Sequence, residues 1–229
     1  NKRDILFTPF PPPFRISSLA LKSKPDRTNK TALYGSFVHT PGKAKVLSSK
    51  EIQTILKVLK TERDRALLAT GLYTGLRISE IIAIGQNDAY TISGGVRNVL
   101  KVTRLKKKNT VYSNIPIHPK LRELLSDYRM SLTKTKNESP WLFPSTRNPM
   151  DHVGRIRAHN ILTEAFQALG IDDGSTHSMR LTCLTNMSRA GIPLRTIQEI
   201  SGHANLGQLQ EYLAVDPADS HRAIMSLKY

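Results

Sequence analysis

Cysteine is almost absent from this chain. Cys183 stands alone among 229 residues, which excludes an internal disulfide and a zinc site built on cysteines. It lies inside a helical pattern, where a lone thiol reads as a small buried hydrophobe. Also missing is any apolar run of about 18 residues, so no membrane span is expected. Neither a secretory signal nor an internal repeat is visible, and the expectation is a cytoplasmic protein. Acidic residues are scarce: 18 Asp and Glu face 34 Lys and Arg, for a formal net charge of +16. That excess points to a polyanion, nucleic acid or an acidic membrane surface. The excess is not confined to one end. Residues 1–45 hold nine basic residues against two Asp, and the rest hold twenty-five basic against sixteen acidic. With 39% hydrophobic residues, the chain has material for a real core.

Residues 1–45, with Pro11-Pro12-Pro13 and scattered Ser, Thr and Lys, read as a basic extended arm or linker without a core of its own. Order begins at a Ser48-x-x-Glu51 capping box, followed by Ile52, Ile55, Leu56 and Leu59 on one helical face. Thr61-x-x-Asp64 opens a second helix, in which Gly71 and Gly75 mark tight packing or a break. Arg77 to Ile82 resumes a short helix. Val96–Leu105 and Thr110–Ile117 alternate as strands, with Lys106-Lys107-Lys108-Asn109 as a hairpin tip and Pro116 at a strand end. Leu121, Leu124, Leu125 and Tyr128 give another helix, Lys134–Pro140 a polar loop, and Trp141-Leu142-Phe143 a short buried segment. Ile161 to Leu169 form a helix stopped by Gly170. Three helices follow: about Ser178 to Ala190, Pro193 to Ile200, and a short one carrying Tyr212. The expected class is α+β, mainly α, with a small antiparallel sheet of about three strands. Three segments result: the arm 1–45, a domain over 46–216, and a helix or tail over 217–229 that could reach a neighbouring subunit.

Several residues could carry phosphate chemistry, although each has an ordinary explanation. Arg77 and Glu80 stand one helical turn apart, a spacing that most often makes a surface ion pair. His177 and Arg180 share the same spacing. Three lysines at a hairpin tip are usually a solvated turn. Gly202-His203 could be a helix cap, and Tyr212, between Leu209 and Leu213, could be core.

Taken together and in this order, they resemble the tyrosine recombinase, or phage integrase, family. Thr74-Gly75-Leu76-Arg77-Ile78-Ser79-Glu80 looks like its first arginine box, and Thr176-His177-Ser178-Met179-Arg180 like its second. Gly202-His203 and Tyr212 look like its last histidine and its nucleophile. The spacings agree: three residues from His177 to Arg180, 23 to His203, nine more to Tyr212. The family places a lysine eight residues before an Ile/Val-Pro proline, which selects Lys108 ahead of Pro116, with Lys107 and Lys106 as alternatives and further candidate DNA contacts. Two departures stand out. Leu181 occupies a position where the family often has histidine, and the arm 1–45 stands where the resemblance places a helical core-binding domain, which is therefore expected to be absent or truncated.

The resemblance implies a site-specific recombinase or integrase acting on double-stranded DNA as a homotetramer, with neither metal, ATP nor a small-molecule substrate. Arg77, Arg180 and His203 would neutralise the scissile phosphate. His177 would be the base, Tyr212 the nucleophile, Lys108 the acid for the leaving 5′-oxygen, and Glu80 a support for Arg77. Two rivals remain: a type IB topoisomerase-like nicking and religating enzyme, and a non-catalytic basic DNA-binding regulator. The expected location is with the nucleoid in the cytoplasm.

Overall fold

Several helices start where a side chain can satisfy their free N–H groups. In the computed structural model, Ser48 accepts from Glu51 N while Glu51 accepts from Ser48 N, and α1 (Ser49–Val58) follows. Thr61 accepts from Asp64 N and opens α2 (Glu62–Thr74). The structure describes residues 44–105, 110–135, 138–213 and 224–227; of Leu105, Thr110, Glu211 and Tyr212 only the backbone is described. All but the last two residues of the arm 1–45, the hairpin tip with Lys106, Lys107 and Lys108, and most of 217–229 lie outside them.

After α2 come α3 (Ile78–Ile82), α4 (Gln86–Ala89), β1 (Val99–Leu105) and β2 (Thr110–Pro116). Five helices follow: α5 (Pro119–Lys134), α6 (Arg155–Ala168), α7 (Thr176–Arg189), α8 (Leu194–Ser201) and α9 (Leu206–Tyr212). The main core is aliphatic and gathers Ile55, Leu67, Leu68, Leu76, Ile81, Leu100, Leu121, Leu125, Leu142 and Leu162 around the buried α2. Phe143 lies in the same core and stacks on Tyr128 with ring centroids 5.9 Å apart. Gly71 lets α7 approach α2 closely, because a Cβ there would stand 2.7 Å from Met179 Sδ. Gly75 is the break: at φ 65 it caps α2 in the left-handed region that glycine tolerates. The two glycines read from the sequence as packing or break do one of each.

The sheet is smaller than expected. Among the described residues it has two strands, paired antiparallel from Val99 opposite Pro116 to Leu105 opposite Thr110. The third strand is reduced to an isolated bridge between Tyr90 and Val96. Thr91 N donates to Gly95 O and Gly94 N to Thr91 O in the turn, and the residues just before Tyr90 belong to α4, so the pairing does not extend beyond this bridge into a second strand.

A second, small cluster joins the last three helices: Leu184 of α7, Ile197 of α8 and Leu209 of α9, with Met187, Leu194 and Leu213 against it. Burial of Leu209 contributes about 1.5–3 kcal/mol to seating α9, and with it the backbone of Tyr212. Among the described residues no helix is long and apolar enough to cross a membrane.

Candidate active site

Local structure fixes where each polar side chain can point. The left-handed Gly75 turns the chain out of α2, Leu76 buries completely, and Arg77 becomes the extended N-cap of α3 at φ −72, ψ 150. Glu80, at the third position of that helix, reaches back. Its Oε2 accepts from Arg77 N at 2.8 Å and its Oε1 pairs with Arg77 Nη1 at 3.4 Å. The Arg77 side chain remains 43% exposed while that of Glu80 is 12% exposed, so the carboxylate is an anchored support and the guanidinium is presented outward.

Ser175 starts α7, accepting from His177 N at 3.2 Å. His177 is exposed in the first turn, and one turn on Arg180 points inward at 2% exposure. Burying a guanidinium is costly unless its donors are matched. Arg180 Nη1 donates to Gly75 O at 2.6 Å and Nη2 to Ser201 O at 2.9 Å. Nη2 also lies 3.2 Å from His203 Nε2. Arg180 therefore knots together the end of α2 two residues before Arg77, the end of α8, and His203.

His203 follows Gly202, which ends α8 in the left-handed region at φ 70. Its Nδ1 is 2.7 Å from Ser201 Oγ. A guanidinium has only hydrogens to offer, so His203 Nε2 accepts from Arg180 and the imidazole proton sits on Nδ1, directed at Ser201 Oγ. That hydroxyl in turn has Gln198 O at 3.2 Å as an acceptor. Rotating it would let it donate to Nδ1 and support the opposite tautomer. Burial, then the positive charges of Arg180 and Arg77, push the His203 pKa down to about 4, so the ring is neutral at ordinary pH. Cys183, beside this junction, is buried, and burial pushes its thiol up to about 12 despite Arg180. It is the inert thiol expected from the sequence.

Of the residues singled out from the sequence, the structure brings Arg77, Glu80, Arg180 and His203 into one contact network. His177 joins it through α7, one turn from Arg180. Tyr212 is the last residue of α9, its side chain outside the described set, as are all of Lys106, Lys107 and Lys108. Two members escaped sequence reading. Ser201 is one. The other is Arg104 on β1, whose Nη1 and Nη2 donate to Glu199 O and Ile200 O and whose Nε lies 3.7 Å from Glu80 Oε1. A signal for Arg104 existed: it shares strand parity with Leu100 and Val102, the inward positions. No three His, Cys, Asp or Glu side chains gather as metal ligands among the described residues.

Against this geometry, the comparisons with known proteins agree. The sequence matches the phage integrase family over residues 45–219. It is 30% identical to the tyrosine recombinase XerC of Rhodospirillum centenum across 67% of this chain and 43% of that protein. The chain thus spans about half the length, or less, of this curated relative. Its fold is shared with the crystal structure of XerA recombinase at a TM-score of 0.68 and 20% identity, covering 83% of this chain and 68% of the other. The Tn1549 transposon integrase, solved in complex with transposon right end DNA, superposes with a TM-score of 0.60 at 17% identity, over 79% of this chain and 65% of that one.

Proposed function

This chain belongs to the phage integrase family, and from that premise we propose that it cuts and rejoins strands of double-stranded DNA through a 3′-phosphotyrosine link. The observation that supports this most is the junction at Arg180. Residues more than a hundred positions apart converge there on one guanidinium, in the order and spacing of a strand-transfer site. The basic surplus carried by residues 46–229 suits a phosphate backbone. The Tn1549 integrase, of the same fold, is itself bound to DNA.

In this reading Tyr212 Oη attacks the scissile phosphorus as His177 accepts its proton, and the bond from phosphorus to the 5′-oxygen breaks. Lys108 gives a proton to the departing 5′-oxygen. Arg77 and Arg180 supply permanently charged forked donors to the non-bridging oxygens as charge builds. His203, neutral, contributes a hydrogen bond through Nε2 once Ser201 Oγ–H turns to Nδ1 and Nε2 exchanges its contact with Arg180 for a phosphate oxygen. Because the phosphoester is exchanged and not hydrolysed, a free 5′-hydroxyl reverses the step without ATP or metal. The same reading gives 46–216 as the catalytic domain, a homotetramer on paired sites as the working assembly, and the nucleoid as its place in the cell.

The test uses a pool of short nicked duplexes of randomised sequence, on which cleavage traps the enzyme because the short 5′ fragment diffuses away. The full chain should form a covalent adduct that survives denaturing electrophoresis. Tyr212→Phe should abolish the adduct while retaining duplex binding. An adduct persisting in Tyr212→Phe would overturn the assignment.

A further inference from the structure

We propose that Arg104 is a positioning residue of this site: a buried guanidinium that locks the first arginine box, through Glu80, to the turn that carries His203. The inference rests on the strand-transfer reading above and adds a residue that touches neither phosphate nor nucleophile.

Arg104 stands on β1 with 5% of its surface exposed. A charge in that setting is a liability to stability, and a well-packed apolar side chain of similar volume often serves a fold equally well. What the guanidinium provides is direction. Its two terminal nitrogens donate to the carbonyls of Glu199 and Ile200 in the last turn of α8, where the helix dipole also favours a cation. The same group fills the space beside Gly202, since a Cβ on that residue would stand 2.5 Å from Arg104 Nη1. His203 is the next residue. The orientation of the histidine turn is thus set from below by Arg104 as well as from the side by Arg180.

On its other edge, Arg104 Nε lies 3.7 Å from Glu80 Oε1, the oxygen that also pairs with Arg77 Nη1 at 3.4 Å. Nε has no hydrogen-bond partner, so this contact is an ion pair held by charge. One carboxylate oxygen therefore sits between two guanidinia, the exposed Arg77 and the buried Arg104. Burial lowers the Arg104 pKa, Glu80 opposes that, and Arg77 reinforces it. A connected path runs from the His203 turn through Arg104 and Glu80 to Arg77. Misplacement of a reacting group by about 1 Å can cost about 10²-fold in rate, and this path restrains two proposed phosphate ligands at once.

The test compares the wild type with Arg104→Met and Arg104→Lys on the same pool of nicked duplexes. Three quantities are read: adduct rate at saturating DNA, duplex affinity, and melting temperature. Arg104→Met should lower the adduct rate by about 10²-fold with affinity nearly unchanged; its melting temperature should fall, because Glu199 O and Ile200 O lose their donors, while the protein stays fully folded at the assay temperature. Arg104→Lys, which keeps a charge near Glu80 but loses the fork, should recover part of the rate. Combining Arg104→Met with Glu80→Gln should cost less than the product of the two single losses, because both cut the same path. A wild-type adduct rate in Arg104→Met overturns the inference, as does a rate loss matched by equal losses of affinity or folded protein. Should Arg104→Met not fold, Arg104→Lys decides by the same three readings. Failure of the wild type itself to form any adduct would sink the strand-transfer reading instead.

Discussion

Arg180 and Arg77 carry the same guanidinium in opposite surroundings. Arg180 is 2% exposed and divides its donors between Gly75 O, Ser201 O and the ring of His203. Arg77 caps a five-residue helix, 43% of its side chain in solvent, and leans on one carboxylate. The proposed chemistry asks the same of both, a forked cation against a phosphate. The fold draws on Arg180 as well, since its donors tie Gly75, Ser201 and His203 to α7 beside the apolar cluster of Leu184, Ile197 and Leu209. Under the proposed chemistry one residue is both phosphate ligand and structural member. The other is held outward by a single carboxylate bracket.

The largest effect should come from removing the buried member. Arg180→Ala takes the donors from two backbone carbonyls at the centre of the site, and each buried group left unpaired costs about 1–3 kcal/mol. The expected loss is about 2–6 kcal/mol of stability in urea unfolding, together with about 10²–10³-fold or more in adduct rate from a missing phosphate donor. A stability equal to the wild type's would show that Arg180 is not the knot that its contacts describe.

Arg77→Ala should separate what Arg180→Ala combines. An ion pair this exposed contributes about 0–1 kcal/mol, so the unfolding midpoint should hardly move. The adduct rate should still fall about 10²–10³-fold. If stability drops as far as in Arg180→Ala, the contrast between the two arginines collapses. If the rate does not drop, Arg77 is only the surface ion pair that its spacing with Glu80 would suggest in isolation.

The same contrast explains how much could be read from the chain alone. Helices announced by caps and periodic leucines were legible: Ser48 with Glu51, Thr61 with Asp64, and the Leu121–Tyr128 face all form as expected. The nearness of Arg77, Glu80, Arg180 and His203 in space was implied by the resemblance to the phage integrase family, not by any one of these residues read alone. What periodicity could not give was depth. His177-x-x-Arg180 places both residues one turn apart, but the sequence does not say that one is exposed and the other buried. Nor does it say that Arg104 lies beneath Gly202, a contact between β1 and the end of α8 almost a hundred residues away. The third strand failed for a related reason: alternation in Val96–Leu105 has no way to show that its would-be partner turns into α4 just before Tyr90 and leaves only one bridge.

The smallest effect is also the most diagnostic of which arginine His203 faces. Its folded pKa, about 4, lies below the ordinary 6.5, chiefly through burial and then through Arg180 and Arg77. Between those values the unfolded chain binds a proton that the folded one refuses, so stability falls as pH falls. The contribution is fully present above about pH 6.5 and is lost as pH drops through about 4. Melting temperature followed across that window should slope upward with pH in the wild type, and the slope should flatten in His203→Gln. Removing a positive neighbour raises the folded value and narrows the window. Because Arg180 outweighs Arg77 in this effect, the slope should shrink more in Arg180→Ala than in Arg77→Ala. Slopes in both variants equal to the wild type's would mean that the histidine responds to burial alone, and slopes reduced equally would mean that the two arginines are electrically equivalent at the ring.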